Sequence, residues 1–101
     1  MKTMYLKIHD TRQGKIVAAC DKELLGSVLD DGRAYLDLRA YRSFYEGGLV
    51  TEKELGQALA AFSSANLVGK KAVAAALATG LARQSDVMYI KKTPHIQLYR
   101  L

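Results

Sequence analysis

The hydrophobic repeat changes along this chain from a period of two to helical spacing and back, and that switch restricts the fold more than any other feature. Met4, Leu6 and Ile8 alternate with Tyr5, Lys7 and His9, the pattern of a strand with one buried face. Ile16, Ala18 and Cys20 can share one face of a second strand running from Lys15 to Cys20. The polar segment Asp10-Thr11-Arg12-Gln13-Gly14 between them suits an antiparallel hairpin. A third strand is predicted from Arg33 to Arg39, where Ala34, Leu36 and Leu38 alternate with Tyr35, Asp37 and Arg39.

Helical spacing separates these strands. Asp21 can cap a helix starting near Lys22, with Leu24, Leu25, Val28 and Leu29 as its apolar stripe and Gly32 as its stop. Thr51-Glu52-Lys53-Glu54 matches the T-x-x-E capping box, so a second helix is predicted to begin there and bury Leu55, Leu59 and Phe62. Asn66 is read as the cap of a third helix through Thr79, whose alanines favour helix and permit close packing; the last two helices form an expected hairpin. Tyr41, Phe44 and Tyr45 before Gly47-Gly48 predict a loop folded back onto the body. Strand character returns at Val87-Met88-Tyr89-Ile90 and from His95 to Leu101, with Pro94 in the turn or at an edge because it has no amide hydrogen to donate. The expected fold class is α+β: a single small domain over residues 1–101. Its mainly antiparallel sheet of about four or five strands packs against three helices.

Composition narrows the function classes. With 101 residues, half of them hydrophobic and a quarter charged, the chain suits one folded domain and not a disordered segment. A lone cysteine excludes an internal disulfide framework and any all-cysteine metal centre, and Cys20 is expected to be a small buried hydrophobe. The longest uncharged stretch, residues 55–69, is shorter than the roughly 20 apolar residues of a membrane span, and the N-terminus lacks the apolar core of a signal peptide. A soluble, cytoplasmic protein with no membrane partner is the expectation. The net charge of +5 points to nucleic acid, phosphate or an acidic protein, and residues 51–101 carry most of it, with seven basic and three acidic side chains.

The most informative local motif is Asn66-Leu67-Val68-Gly69-Lys70-Lys71. Unpaired amides at a helix start attract anions, Gly69 would permit close approach of a phosphate, and Lys70 and Lys71 in the first turn call for a compensating negative charge. The segment is not a Walker motif. Lys91 and Lys92 extend the candidate phosphate surface into the terminal hairpin, with Arg83 and Arg100 nearby in sequence. Strand alternation places Tyr5, Lys7 and His9, then Tyr35 and Arg39, then His95, Gln97 and Tyr99 on one expected face, so Tyr5, Tyr35 and Tyr99 are candidates for stacking on bases. Phe44 and Tyr45 are candidates for partner binding. His9, Asp10, Cys20 and His95 have no metal-ligand spacing, and no nucleophile elbow, carboxylate pair or dinucleotide fingerprint occurs; no metal, cofactor or catalytic residue is assigned.

The segments Met4-Tyr5-Leu6-Lys7-Ile8-His9-Asp10, Gly14-Lys15-Ile16-Val17-Ala18-Ala19-Cys20-Asp21 and Leu24-Leu25-Gly26 form the first part of a wider pattern. Ser43-Phe44-Tyr45, Asn66-Leu67-Val68-Gly69-Lys70-Lys71-Ala72-Val73 and Pro94-His95-Ile96-Gln97 complete it. Over nearly its whole length the chain resembles the archaeal domain-of-unknown-function 424 family. The resemblance implies a single-domain protein in an archaeal cytoplasm with a link to translation or RNA, and it transfers no catalytic residue. The expectation is a non-catalytic RNA-binding or ribonucleoprotein-associated module of archaeal translation. A protein-interaction module, homodimeric through the aromatic loop, is the alternative. A small enzyme acting on an anionic substrate around His9, His95 and Lys70 is the third reading.

Overall fold

Alternation at the N-terminus produces the strands its period predicts. The computed structural model describes residues 1–100 and pairs β1 (Met4–Thr11) antiparallel with β2 (Gly14–Asp21). Thr11 pairs with Gly14, so Arg12-Gln13 alone makes the turn and the connection is tighter than expected. After β2 the chain forms a 3-10 turn at Lys22–Leu24 in place of the expected helix. It continues into β3 (Val28–Asp30) and β4 (Tyr35–Asp37), a separate two-stranded antiparallel sheet. Local carboxylates direct the chain into a turn here. The Gly32 amide donates to Asp30 Oδ1 at 2.9 Å, and the Arg33 and Ala34 amides donate to Asp31 Oδ1 at 2.9 and 2.8 Å. Such bonds offer the backbone an alternative to helix.

Beyond this hairpin come a short helix α1 (Arg42–Tyr45), β5 (Gly48–Val50), α2 (Glu52–Ala58), β6 (Ser64–Val68) and α3 (Lys70–Ala78). A 3-10 turn at Gln84–Asp86 leads to β7 (Met88–Ile90) and β8 (Thr93–Tyr99). The capping box at α2 forms as predicted: the Glu54 amide donates to Thr51 Oγ1 at 3.1 Å and the Thr51 amide to Glu54 Oε1 at 2.9 Å. The terminal hairpin also forms, turning at Lys91-Lys92, with Pro94 buried as the second residue of β8. Leu101, the end of the expected last strand, lies outside the described residues.

Among the described residues the main sheet has six strands in the order β5-β1-β2-β6-β8-β7, larger than the four or five expected. It is mixed, because β2 and β6 run parallel while every other neighbouring pair is antiparallel. β6 is the principal correction. It occupies the segment read as the start of a helix at Asn66, and it separates α2 from α3, which are therefore not a hairpin. Its Ala65, Leu67 and Val68 are buried. β6 does alternate, with Ala65 and Leu67 buried on one face and Ser64 and Asn66 half-buried on the other, but it is only five residues long, and Asn66 ahead of a helical run reads locally as a cap.

Two clusters of apolar side chains lie against the sheet. On one face α2 and α3 pack Leu55, Leu59, Ala72, Val73, Ala75 and Ala76 against Met4, Val17, Ala19, Leu67 and Ile96. On the other, Leu29, Leu36 and Leu38 of the β3–β4 hairpin join Phe44 and Tyr45 over Tyr5, Ala18, Cys20 and Val68. Among the described residues, no helix is long and apolar enough to cross a membrane.

Candidate nucleic-acid interface

The start of α3 already has its anion. The Lys71 and Ala72 amides donate to the Asp21 carboxylate at 3.1 and 2.9 Å, so the side chain read as a cap for a following helix caps one 50 residues away. Asp21 is only 3% exposed. Burial pushes its carboxyl above the usual range, more than the two amide bonds lower it. Gly69 precedes the helix with φ +109°, and a side chain there would run into the Asp21 carboxylate. Its close approach is thus to an internal carboxylate. Lys71 also faces acid, with Nζ 3.9 Å from Glu23 Oε1. Asn66, expected as the helix cap, is the middle residue of β6 and lies on the opposite face of the sheet from α3.

Lys70 is turned differently. With Val73, Ala74 and Leu77 of α3 it lines a cleft of about 290 Å³ whose other wall is Gln84, Tyr89, Lys92 and Pro94. Two of the lysines singled out in the sequence therefore meet in one groove, brought from a helix start and a hairpin turn. Its floor is apolar and its rim is cationic. Tyr89 is 53% exposed, and its hydroxyl accepts a 3.0 Å bond from Gln84 Nε2. Neither Tyr89 nor Gln84 was an expected site residue. Gly69 and Lys70 also border a smaller cavity with Asp21, Glu23, Leu24, Thr93 and Pro94.

The remaining candidates are dispersed. Lys91 occupies the hairpin turn with φ +56°, its amide making a long 3.4 Å contact to Asp31 Oδ2. The expected tyrosine face is corrected in part. Strand parity and register do put Tyr5, Lys7, His9, His95, Gln97 and Tyr99 on one face of the main sheet. Tyr35 belongs to β4 instead, where its hydroxyl donates to Asp37 Oδ2 at 3.1 Å, and Arg39 to the turn that follows. Tyr5 is half-buried beneath that hairpin, whereas Tyr99 is 71% exposed.

The aromatic loop folds back onto the body. Phe44 stacks on His9 with centroids 4.6 Å apart, and Tyr45 meets Phe44 edge-on at 5.1 Å. Tyr45 is 5% exposed and its phenol is pushed up to about 12 by burial. Its ring belongs to the core and is not presented outward. His9 Nε2 lies 2.9 Å from the Phe44 carbonyl oxygen. His9 and His95 sit on β1 and β8 with β2 and β6 between them, so strand spacing alone separates them by roughly 14 Å. Lys70 stands across the sheet from both, and the three do not share a cleft. Burial, reinforced by the Asp21 and Glu23 charges, pushes the Cys20 thiol up to about 12, which keeps it a protonated core side chain. Among the described residues, no group of three or more His, Cys, Asp or Glu side chains is arranged to hold a metal ion.

Register creates a second concavity on the face opposite α3. Lys7, Ala18, Asn66 and Gln97 form one row across β1, β2, β6 and β8. Asn66 and Gln97 lie at the floor of a cleft of about 330 Å³ whose other lining residues are Leu36, Tyr41, Phe44 and Tyr45.

Comparison with known proteins agrees with the residue pattern noted above. The family model described as "Protein of unknown function (DUF424)" matches residues 8–101. A crystal structure of an uncharacterized conserved protein from the archaeon Methanopyrus kandleri is similar to this chain. The two share 27% sequence identity with a TM-score of 0.78, over 95% of this chain and 90% of that one. No curated protein matches.

Proposed function

The chain belongs to the family described as "Protein of unknown function (DUF424)", and within it we propose a non-catalytic module that binds RNA through the Lys70–Lys92 groove, in the translation setting the family resemblance implies. The observation that carries this reading is the meeting of Lys70, Lys92 and the exposed Tyr89 ring around one apolar-floored cleft. Ammonium groups neutralise phosphates without reading sequence, and an exposed ring offers a stacking surface that accepts any base. The helix-start amides are occupied by Asp21, so the lysine side chains, and not the helix terminus, supply the phosphate contacts. Lys91, beside Lys92 in the turn but not lining the cleft, adds charge near it.

Fluorescence anisotropy with a labelled single-stranded RNA, repeated across a salt series, tests the reading. Each phosphate contact to a single strand contributes about −0.7 to the slope of log K against log salt, so Lys70→Ala with Lys92→Ala should reduce its magnitude by about 1.4. No binding at low salt, or a slope unchanged in the double variant, would overturn it.

A further inference from the structure

We propose that the cleft between α1 and the open part of the sheet is a binding site for an adenine base, separate from the lysine groove and not dependent on it. Its floor carries two carboxamides side by side, since Asn66 and Gln97 are register partners on β6 and β8. Among the described residues, neither side-chain amide hydrogen-bonds a protein group, although both line the cavity. Asn66 is half-buried and Gln97 exposed, so the pair stands at the open end of a face that carries buried Val68 two residues along. A pair of unengaged carboxamides there is a polar feature the fold itself does not use.

The walls select for a flat, neutral group. Tyr41, Phe44 and Tyr45 supply aromatic surface, and Leu36 closes one side. Tyr41 is 63% exposed, while Phe44 and Tyr45 are braced against His9 and each other, so one exposed ring stands at the mouth beside two packed ones. Among the described residues, no charged side chain lines the cleft, which disfavours a phosphate or a carboxylate as the occupant. A volume of about 330 Å³ is at the small end of ligand sites, enough for a base or nucleoside.

Hydrogen bonding and ring area together favour adenine, since pyrimidines also set a donor beside an acceptor but cover less of the aromatic wall. A carboxamide presents one acceptor oxygen and one donor NH₂, which match the N6 donor and N7 acceptor of adenine in a bidentate pair. The corresponding edge of guanine offers two acceptors and calls for arginine or lysine, which this cleft lacks. Tyr99 is two residues beyond Gln97 on the same face of β8 and highly exposed, placed to receive a neighbouring base if the adenine arrives within an RNA strand.

The test is an NMR titration of the intact chain with adenosine, uridine and an oligoadenylate, following the side-chain NH₂ resonances of Asn66 and Gln97. Adenosine should move both, and uridine, with its smaller ring, should move them clearly less. Because the contact is neutral, the adenosine response should persist at high salt and in the Lys70→Ala, Lys92→Ala chain. It therefore survives even if RNA binding by the lysine groove fails. Tyr41→Ala should weaken adenosine binding about five- to hundredfold, whereas Tyr41→Phe retains it. Gln97→Ala, at an exposed position, should weaken it about tenfold without unfolding the sheet. A response to both adenosine and oligoadenylate assigns the site to the free nucleoside as well as to RNA, and a response to oligoadenylate alone assigns it to RNA. No movement with either, or equal movement with uridine, overturns the proposal.

Discussion

On one face of the main sheet, α2 and α3 bring Leu55, Leu59, Ala72, Ala75 and Ala76 into continuous contact with Val17, Ala19, Leu67 and Ile96, every one of them buried. The opposite face is covered by a two-stranded hairpin and a helix of four residues, which reach over Ala18, Cys20 and Val68 but not as far as Ser64 and Tyr99. Alanines let α3 lie close to its face of the sheet, and close packing fills the space between them, so the Lys70–Lys92 groove lies beside α3, against the terminal hairpin, and not beneath it. The second cover is attached at its margins by individual polar contacts. Lys7 Nζ donates to the Ser43 carbonyl at 2.8 Å, and His9 Nε2 lies 2.9 Å from that of Phe44. One side of this sheet makes the fold; the other leaves unengaged carboxamides and exposed aromatics beside a partial lid.

This contrast is broken or sharpened by truncating one leucine on each side. Leu67→Ala empties a fully buried position between the sheet and its helices and should cost about 2–5 kcal/mol. Leu36→Ala, half-buried on the edge of the cleft, should cost about 1–2 kcal/mol. Urea denaturation monitored by circular dichroism gives both numbers. Native-state hydrogen exchange adds the mechanism: the Leu38 amide, bonded to the Ser27 carbonyl at 2.8 Å within the cover, should exchange by local opening. The Val17 and Leu67 amides of the interior strands should exchange only on global unfolding. Equal costs and a single exchange regime would show that the two layers are one cooperative unit.

Asp21 sits on the helical side and provides a middle-sized effect. Asp21→Ala leaves the Lys71 and Ala72 amides without their acceptor and should cost about 1–3 kcal/mol. Its pH dependence has a definite sign. Because burial raises this carboxyl in the folded chain, the fold binds the proton more tightly than the unfolded chain does. The contribution is therefore fully present below the ordinary carboxylate pKa and declines as pH rises through the raised folded value. Exposed Asp31, Glu46 and Glu54 and half-buried Asp37 are shifted down by their hydrogen bonds and act in the opposite sense. They are common to both chains, so the stability of the natural sequence minus that of Asp21→Asn isolates the one group. That difference should fall as pH is raised from about 4 in a series of urea titrations, and a rising difference would contradict the assignment.

What the sequence discloses divides along the same lines. β1, β2 and β8 were legible because one face of each strand, or its end, meets a different environment, and the capping box at Thr51 was legible because its bonds span three residues. Asp21 was recognised as a helix cap, but capping chemistry read locally assigns it to Lys22, whereas tertiary structure assigns it to Lys71. β6 was hidden by its five-residue length and by Asn66, which reads locally as a cap for the helical run that follows. Of the groove, Lys70 and Lys92 were nominated by charge. Tyr89 was not, because only the docking of the terminal hairpin against α3 carries its ring to Lys70. The Asn66–Gln97 pair depends on the register of β6 against β8, which neither strand encodes alone.

The smallest expected effect lies where the partial cover reaches the terminal hairpin. Lys91 is the one non-glycine residue with positive φ among the described residues, and its amide faces Asp31 at the tip of the β3–β4 hairpin. A side chain in the left-handed region costs roughly 1–2 kcal/mol, while glycine there gives back about 0.5–1 kcal/mol through the greater freedom of the unfolded chain. Lys91→Gly should therefore stabilise the protein by about 0.5–1 kcal/mol, read as a higher urea midpoint with an unchanged slope. Lys91→Ala keeps the strain and should leave stability within about 0.5 kcal/mol of the starting chain. The two variants remove the same charge, so they should weaken RNA binding equally if Lys91 acts only through its charge near the cleft. Glycine weakening it more than alanine would mean that the strained turn itself holds Lys92 toward the groove, and that the weakly attached side of the molecule helps shape the basic one.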